Sequence, residues 1–357
     1  MRQDTDMLRR ALPVLVATVL LTLAVPLIGR RGDTLPAALT DREFWTLIEQ
    51  LSEPNGSFVS RSGSPDNLLS NEMQISTVAA ALARQVPPAG VYLGVGPEQN
   101  FTYIAAIKPR IAFVTDIRRG NLDVHLLYKA LFELSATRSE FVARLFSRRP
   151  ATGLTRTSSA TQLMTAYASA APVDRATFAA NLKAIVDLLT TRHGLALTAE
   201  DRAGIEHAYR AYYQFGPAIN YTSSINGGTG RFNNYAALMA SADTASGKER
   251  TYLASEENFA FVKGMESRNV IVPVVGNFAG PKALGAIGAW LKARGAMVSV
   301  FYVSNVEQYL NQNGVWPAFC ANVAKLPLDA SSIFIRPNRG GSSFAPIAAE
   351  TAACAGR

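Results

Sequence analysis

The segment Gly90–Asp116 constrains the fold of this chain more than any other part of the sequence. It reads GVYLGVGPEQNFTYIAAIKPRIAFVTD: a short apolar run, a turn with two glycines, a helical stretch and a second apolar run that ends in a carboxylate. Two short apolar runs joined by a helix are typical of parallel strands, because such strands need a crossover connection. We therefore predict strands at Val91–Val95 and Ile111–Thr115 and a helix at Phe101–Ile107.

The same segment has the outline of a nucleotide or S-adenosylmethionine site. Glycines at the carboxyl end of a strand let backbone N–H groups approach a ligand, and an acid about 20 residues further on can bind ribose hydroxyls. Gly94 and Gly96 take the first role here, and Asp116 takes the second. A dinucleotide fingerprint would continue to a third glycine, where this chain has Gln99. A nicotinamide-dependent oxidoreductase is therefore disfavoured.

Further strands and helices continue the alternating pattern. Apolar runs at Val270–Val275, Met297–Val303 and Ser332–Arg336 predict three more strands, and Leu122–Phe146 predicts one long helix. The stretch at about 150–220 has little strand signal and predicts a mostly helical insertion. Together these features predict an α/β fold with a doubly wound, mostly parallel Rossmann-like sheet and right-handed crossovers. Ligands are then expected at the carboxyl ends of the strands.

The N-terminus contains an uncharged apolar run, Ala11–Ile28, with arginines on both sides. Its length is at the lower limit for a membrane span and above the usual apolar region of a signal peptide. No clear cleavage site follows, which favours an uncleaved anchor over a cleaved signal. We expect a membrane segment at 1–32, an α/β domain at 38–337 and a C-terminal tail at 338–357. The globular part is expected on the exported, periplasmic side, with a cytoplasmic-facing arrangement as the alternative.

Composition disfavours several functional classes. The net charge is +8, but the 35 Lys and Arg residues are scattered with few aromatic residues between them, so we expect no specific nucleic-acid binding. The two cysteines, Cys320 and Cys354, exclude a cysteine zinc site but allow one disulfide outside a reducing compartment. The three histidines have no partners at ligand spacing, so we expect no metal. Neither a serine-hydrolase elbow nor a Walker phosphate loop is present in the sequence.

Several stretches between Ala38 and Pro337 resemble an uncharacterised family of bacterial proteins with an S-adenosylmethionine-dependent methyltransferase-like fold. The stretches are YLGVGPEQNFTYI, FVTDIRRGN, DNLLSNE, VPVVGNFAGPKAL and FYVSNVEQYL. The resemblance implies the fold and S-adenosylmethionine as the cofactor, but no methyl acceptor. In methyltransferases an acid usually stands two residues before the first glycine, and here that position holds Tyr92. Glu98, in the turn itself, could take the place of that acid.

These features select the candidate site residues. The cofactor-binding candidates lie in the glycine turn and at the end of the second strand: Gly94, Gly96, Glu98, Gln99, Asn100 and Asp116. The substrate-pocket candidates precede the first strand or follow the later ones: Asn67, Asn71, Glu72, Asn277, Tyr302 and Asn305.

Two hypotheses about function follow. The first is a membrane-tethered methyltransferase-like protein that binds S-adenosylmethionine and an unknown small-molecule acceptor. Its catalysis would depend mainly on proximity and alignment. The second is a non-catalytic, exported binding or scaffold protein that keeps the fold without the cofactor, which Tyr92 and the N-terminal segment favour.

Overall fold

The computed structural model of the chain describes residues 33–57, 68–226, 232–338 and 341–354. These residues belong to one compact unit, Asp33–Arg357. The predicted membrane segment at 1–32 and Asn67 lie outside the described residues. Within the described ranges, no helix is both long and apolar enough to cross a membrane.

A six-stranded, mostly parallel sheet forms the centre of a mixed α/β fold. Its strands are β1 (Val91–Gly94), β2 (Ile111–Asp116), β3 (Ile271–Val275), β4 (Val298–Tyr302), β5 (Ile333–Asn338) and β6 (Gly341–Pro346). Their order across the sheet is β3-β2-β1-β4-β5-β6. Neighbouring strands are parallel except for β6, which is antiparallel to β5.

The first five strands are confirmed close to their predicted bounds. Every residue of β1, β2 and β3 is buried. Because side chains alternate between the two faces of a strand, both faces of the sheet must be covered there. The sixth strand lies in the stretch for which the sequence predicted only a tail. Its sequence, GSSFAP, has little apolar content, so pairing with β5 rather than an apolar pattern defines it.

Helices connect the strands and cover the sheet. They are α1 (Asp41–Leu51), α2 (Ile75–Gln85), α3 (Gln99–Ile107), α4 (Arg119–Leu134), α5 (Arg138–Leu145), α6 (Ala160–Ala168), α7 (Arg175–Asp187), α8 (Ala199–Phe215), α9 (Ser223–Asn226), α10 (Tyr235–Met239), α11 (Glu256–Ser267), α12 (Ala283–Lys292), α13 (Val306–Gln312), α14 (Trp316–Val323) and α15 (Ile347–Cys354). Helix α4 packs against β2 and β3, and α8 packs on α4. The region at about 150–220 contributes helices and, in its described part, no strand of the sheet.

The single long helix predicted at Leu122–Phe146 is wrong, because the chain forms α4 and α5 with a break between them. Ser135 is extended, and Thr137 is the N-cap of α5, where its side chain accepts a hydrogen bond from the backbone N–H of Glu140. The Glu140 carboxylate in turn accepts from the backbone N–H of Ala136 at 2.7 Å. These local side-chain bonds satisfy backbone groups that a continuous helix would have used.

A chain of partly buried polar contacts ties α1 to α4 beside a π-helical turn at Leu188–Arg192. The two ring nitrogens of His193 lie 2.8 Å from carboxylate oxygens of Asp41 and Glu133. Lys129 donates to the other oxygen of Glu133 at 2.8 Å. The hydrogen bond to Glu133 raises the pKa of His193 above its ordinary value, against the opposing effect of burial.

We expect His193 to make the stability of the fold depend on pH. A raised pKa in the folded state means that its stabilisation is complete below the unfolded pKa of about 6.5 and is lost as the pH rises through the folded pKa. The urea midpoint should therefore fall more steeply as the pH rises above about 6.5 in the wild type than in His193→Gln. Parallel pH profiles for the two chains would contradict this assignment. Buried Glu98 and Asp123 titrate in the same range, because burial raises their pKa values to about 8. The difference in slope between the two chains, and not the slope of the wild type alone, therefore reports the contribution of His193.

Candidate functional site

A cavity of about 150 Å³ opens at the carboxyl ends of β1, β2, β3 and β4. One buried water needs ~10–15 Å³ of such space, so the cavity has room for a small-molecule ligand. Along the sequence the sheet grows from β1 through β2 to β3, and β4 then pairs on the opposite side of β1. The cavity thus lies where the direction of strand addition reverses, which is where open α/β sheets bind ligands.

The structure brings most of the predicted site residues to this cavity. Those that line it are Asn71, Gly96, Gln99, Asp116, Asn277, Tyr302 and Asn305. Four others, Gly94, Glu98, Asn100 and Glu72, are absent from the described lining and make the contacts given below. Asn67 was also a candidate, and it is not among the described residues.

Asn100 organises the turn after β1. It is fully buried, and its Nδ2 group donates to the backbone carbonyls of Val95 at 3.0 Å, Gly96 at 2.9 Å and Pro97 at 2.7 Å. Its Oδ1 atom accepts a hydrogen bond from the hydroxyl of Tyr92 at 2.8 Å. A Cβ atom at Gly94 would lie 2.1 Å from that Oδ1, so this packing requires glycine there. Asn100 and Gly94 therefore fix the conformation of the turn after β1, and through it the shape of the cavity.

Glu98, predicted as the replacement for the missing acid, is not part of the described lining of the cavity. It is 0% exposed, and its two carboxylate oxygens lie 3.2 and 3.0 Å from the backbone N–H of Ser70. Burial raises the pKa of Glu98 to about 8. Its contact joins the segment before α2 to the turn after β1. The sequence shows an acid in the turn but not the direction in which it points.

Gly96 and Gln99 form the floor of the cavity next to β1. Gly96 has a φ of 76°, in the left-handed region that favours glycine, and its carbonyl also accepts a hydrogen bond from Nε2 of buried His125 at 3.0 Å. Gln99 donates through Nε2 to the carbonyl of Val95 at 2.8 Å. Its Oε1 atom is buried and has no hydrogen-bond partner among the described residues.

Asp116 supplies the carboxylate of the cavity. It is the last residue of β2, and it is 5% exposed. Its Oδ1 atom accepts from the backbone N–H of Arg118 at 3.0 Å and lies 3.4 Å from Nε of the same residue. Arg118 lines the cavity as well. Arg119 turns away from it and forms an ion pair with Asp201 of α8.

Tyr302 and Ser304 line the side of the cavity that follows β4. Both hydroxyls donate to Oε1 of Glu72, Tyr302 at 2.6 Å and Ser304 at 2.9 Å. Glu72 is 7% exposed, and burial raises its pKa, against the effect of these two hydrogen bonds. These hydrogen bonds link the segment before α2 to the end of β4, and hydrophobic periodicity gives no signal for them.

The loop between β3 and α12 presents Asn277 and Phe278 to the cavity. Behind it, the N-terminus of α12 is occupied by the carboxylate of Glu53, which follows α1. That carboxylate accepts from the backbone N–H groups of Asn277 at 3.1 Å, Lys282 at 2.9 Å and Ala283 at 2.8 Å. An anion at a helix N-terminus is favourable because the free N–H groups and the helix dipole point at it.

Sequence reasoning missed one wall of the cavity. It is formed by one face of α13 and the residues that follow: Val306, Tyr309, Leu310, Asn313 and Val315. The spacing from Val306 to Asn313 is that of successive turns of a helix, which could have indicated this face once Asn305 was placed at the cavity. In the described part of the chain, no group of three or more His, Cys, Asp or Glu side chains is placed to hold a metal ion.

The chain belongs to the family described as "Domain of unknown function (DUF7790)", which it matches over residues 68–352. The match includes the whole sheet and all the described cavity-lining residues except Ser57. No curated protein matches the sequence. The family description gives no activity, so function must be argued from the site.

We expect Asn100→Ala to lower the free energy of unfolding by about 3 kcal/mol, because it leaves several buried polar groups unpaired at about 1–3 kcal/mol each. In Tyr92→Phe/Asn100→Ala the unpaired hydroxyl is gone, so the double variant should be more stable than the sum of the two single changes predicts. Urea unfolding of the four chains measures both effects. Strict additivity would show that Tyr92 and Asn100 are not coupled.

Proposed function

We propose that this chain is a membrane-tethered, methyltransferase-like protein with a Rossmann-like, doubly wound sheet that binds S-adenosylmethionine in the cavity at β1–β4. The observation that carries the proposal is the position of Asp116, whose carboxylate ends β2 at the cavity, beside the glycine turn that follows β1. The strand order supports it, since β3-β2-β1-β4-β5-β6 is also the order of dinucleotide-binding sheets. The methyl acceptor is unknown.

The residues present fit the nucleoside end of this ligand. Asp116 would accept hydrogen bonds from the ribose hydroxyls, as the acid after the second strand does in nucleotide-binding sheets. Gly96 has a left-handed backbone conformation, which favours glycine. Because glycine has no side chain, a ligand can approach the main chain at this turn. Ile117 and Phe278 give the cavity apolar surface beside Asp116.

The amino-acid end of the ligand needs a different arrangement from the usual one. Tyr92 donates to Asn100, and Glu98 accepts from Ser70, so neither residue offers an acid to the cavity. Gln99 lines the cavity, and its buried Oε1 atom has no partner among the described residues. We assign this oxygen to the ammonium group, from which it would accept a hydrogen bond after the amide turns towards the cavity. A neutral amide would replace the carboxylate that methyltransferases usually have in this region.

When bound, S-adenosylmethionine would supply an electrophilic methyl group. The contribution of the chain would be to bind and align the two reactants in a cavity with limited access to water. Alignment of this kind can provide a large part of a rate enhancement without a change in protonation of the protein. Tyr302 and Asn277 would lie on the acceptor side, because they follow β4 and β3 at the same edge of the sheet.

Isothermal titration of the full-length chain with S-adenosylmethionine and its demethylated product tests this function. We expect Asp116→Asn to weaken binding by about 10- to 100-fold, because hydrogen bonds to a charged group contribute about 1.5–3 kcal/mol. Asp187→Asn, the same change at an exposed ion pair on α7, should bind like the wild type. No binding by a folded wild-type chain, or equal binding by all three chains, would contradict the proposal.

A second candidate function has one observation in its favour. Cys320 is disulfide-bonded, and the sequence contains one other cysteine, Cys354. Disulfides persist mainly in oxidising compartments, which supports an exported domain, whereas S-adenosylmethionine is a cytoplasmic metabolite. A non-catalytic, exported binding or scaffold protein would satisfy both facts.

The side of the membrane on which the domain lies separates the two candidates. A C-terminal alkaline phosphatase fusion is active only after export, and a C-terminal green fluorescent protein fusion reports the cytoplasmic side. Phosphatase activity together with a chain that shifts on a gel only after reduction favours the exported binder. Fluorescence and no gel shift favour the methyltransferase-like enzyme.

A further inference from the structure

The hydrogen bonds of Tyr302 and Ser304 fix the polarity of one side of the cavity. A hydroxyl group has one proton to donate and lone pairs with which to accept. Both protons are directed at the same atom, Oε1 of Glu72. Both residues line the cavity, and each hydroxyl oxygen keeps a lone pair with which it can accept. A ligand that meets them must provide a hydrogen-bond donor.

The surface next to these acceptors carries apolar and neutral polar side chains. Val306 and Leu310 of α13, Val315 and the ring of Phe278 line the same cavity, together with the uncharged side chains of Asn305, Tyr309 and Asn313. Glu72 is not part of the described lining, so no carboxylate on this side faces a ligand directly. Burying a charged ammonium group against such a wall would be costly without an ion pair. A neutral hydroxyl on an apolar body matches both the acceptors and the wall.

We propose that the side of the cavity formed by Tyr302, Ser304 and α13 binds a small phenol-like molecule, whose hydroxyl donates to the Tyr302 oxygen. Glu72 acts as the positioning residue, because it holds the Tyr302 proton away from the ligand. The inference rests on the proposed function in one respect only, namely that it makes this molecule the methyl acceptor. The phenol oxygen would take the methyl group, and its proton would pass to the Tyr302 oxygen as the Tyr302 proton passes to the Glu72 carboxylate. The binding site itself is defined without the cofactor.

The chain offers a matched control for Tyr302. Tyr103 of α3 is also fully buried, and its ring centroid lies 5.2 Å from that of Tyr302. Its hydroxyl has no hydrogen-bond partner among the described residues, and it does not appear in the described lining of the cavity. Tyr103→Phe therefore makes the same chemical change next to the site without altering the acceptor.

The test measures binding of 4-methylphenol and 4-methylanisole to the full-length chain by titration calorimetry. The two probes differ in the hydroxyl proton. We expect the wild type and Tyr103→Phe to bind the phenol about tenfold more tightly than the ether, as one hydrogen bond in a desolvated site allows. In Tyr302→Phe the ratio should fall to about one, with the affinity for the ether unchanged. Ser304→Ala should lower the ratio to a lesser degree.

Each result separates this inference from the proposed function. A ratio near one in the wild type, no binding of either probe, or a ratio that Tyr302→Phe leaves unchanged would overturn the acceptor site. If the phenol preference depends on Tyr302 but S-adenosylmethionine does not bind, the acceptor site stands and the proposed function fails. If S-adenosylmethionine binds but the wild type binds the phenol and the ether equally tightly, the acceptor site is refuted and the proposed function stands.

Discussion

The site of this protein depends on one side chain, the amide of Asn100. Its Nδ2 group holds three consecutive carbonyls of the turn after β1, and its Oδ1 atom receives the hydroxyl of Tyr92. Backbone groups in a buried turn must find partners, and no strand or helix ladder supplies them here. Asn100 therefore allows the chain to leave β1 abruptly and enter α3. Without that turn, Gly96 and Gln99 could not form the floor of the cavity.

Around this turn, buried carboxylates connect segments that are far apart in the sequence. Glu98 joins the turn to Ser70, Glu72 joins the segment before α2 to β4, and Glu53 joins the end of α1 to the start of α12. Each one accepts hydrogen bonds from groups that the fold would otherwise leave unpaired. Polar side chains near the strand ends thus divide into those that build the cavity wall and those that face the cavity.

The sheet could be predicted from sequence because strands buried on both faces are continuous apolar runs, as IAFVTD and IVPVV show. Helix α1 begins with a capping box, in which the Thr40 and Glu43 side chains each accept a hydrogen bond from the other residue's backbone N–H. Such a box has a sequence signature because its two partners lie three residues apart. The roles of Glu98 and Glu72 could not be predicted, because a sequence gives the identity of a polar residue and not the direction of its side chain. Their partners, Ser70 and Tyr302, are 28 and 230 residues away. Strand β6 was not predicted, because its pairing with β5 defines it and its sequence lacks a run of apolar residues.

The carboxylate of Glu53 at the start of α12 has a consequence for ligand choice. Because Glu53 is part of the same chain, it competes for the N–H groups of the β3–α12 loop at a high effective concentration. A phosphate group would have to displace it and leave a carboxylate without those partners. The N-terminus of α12 is therefore closed to a phosphate group while Glu53 keeps these hydrogen bonds. The chain fills one common anion-binding position with a carboxylate of its own.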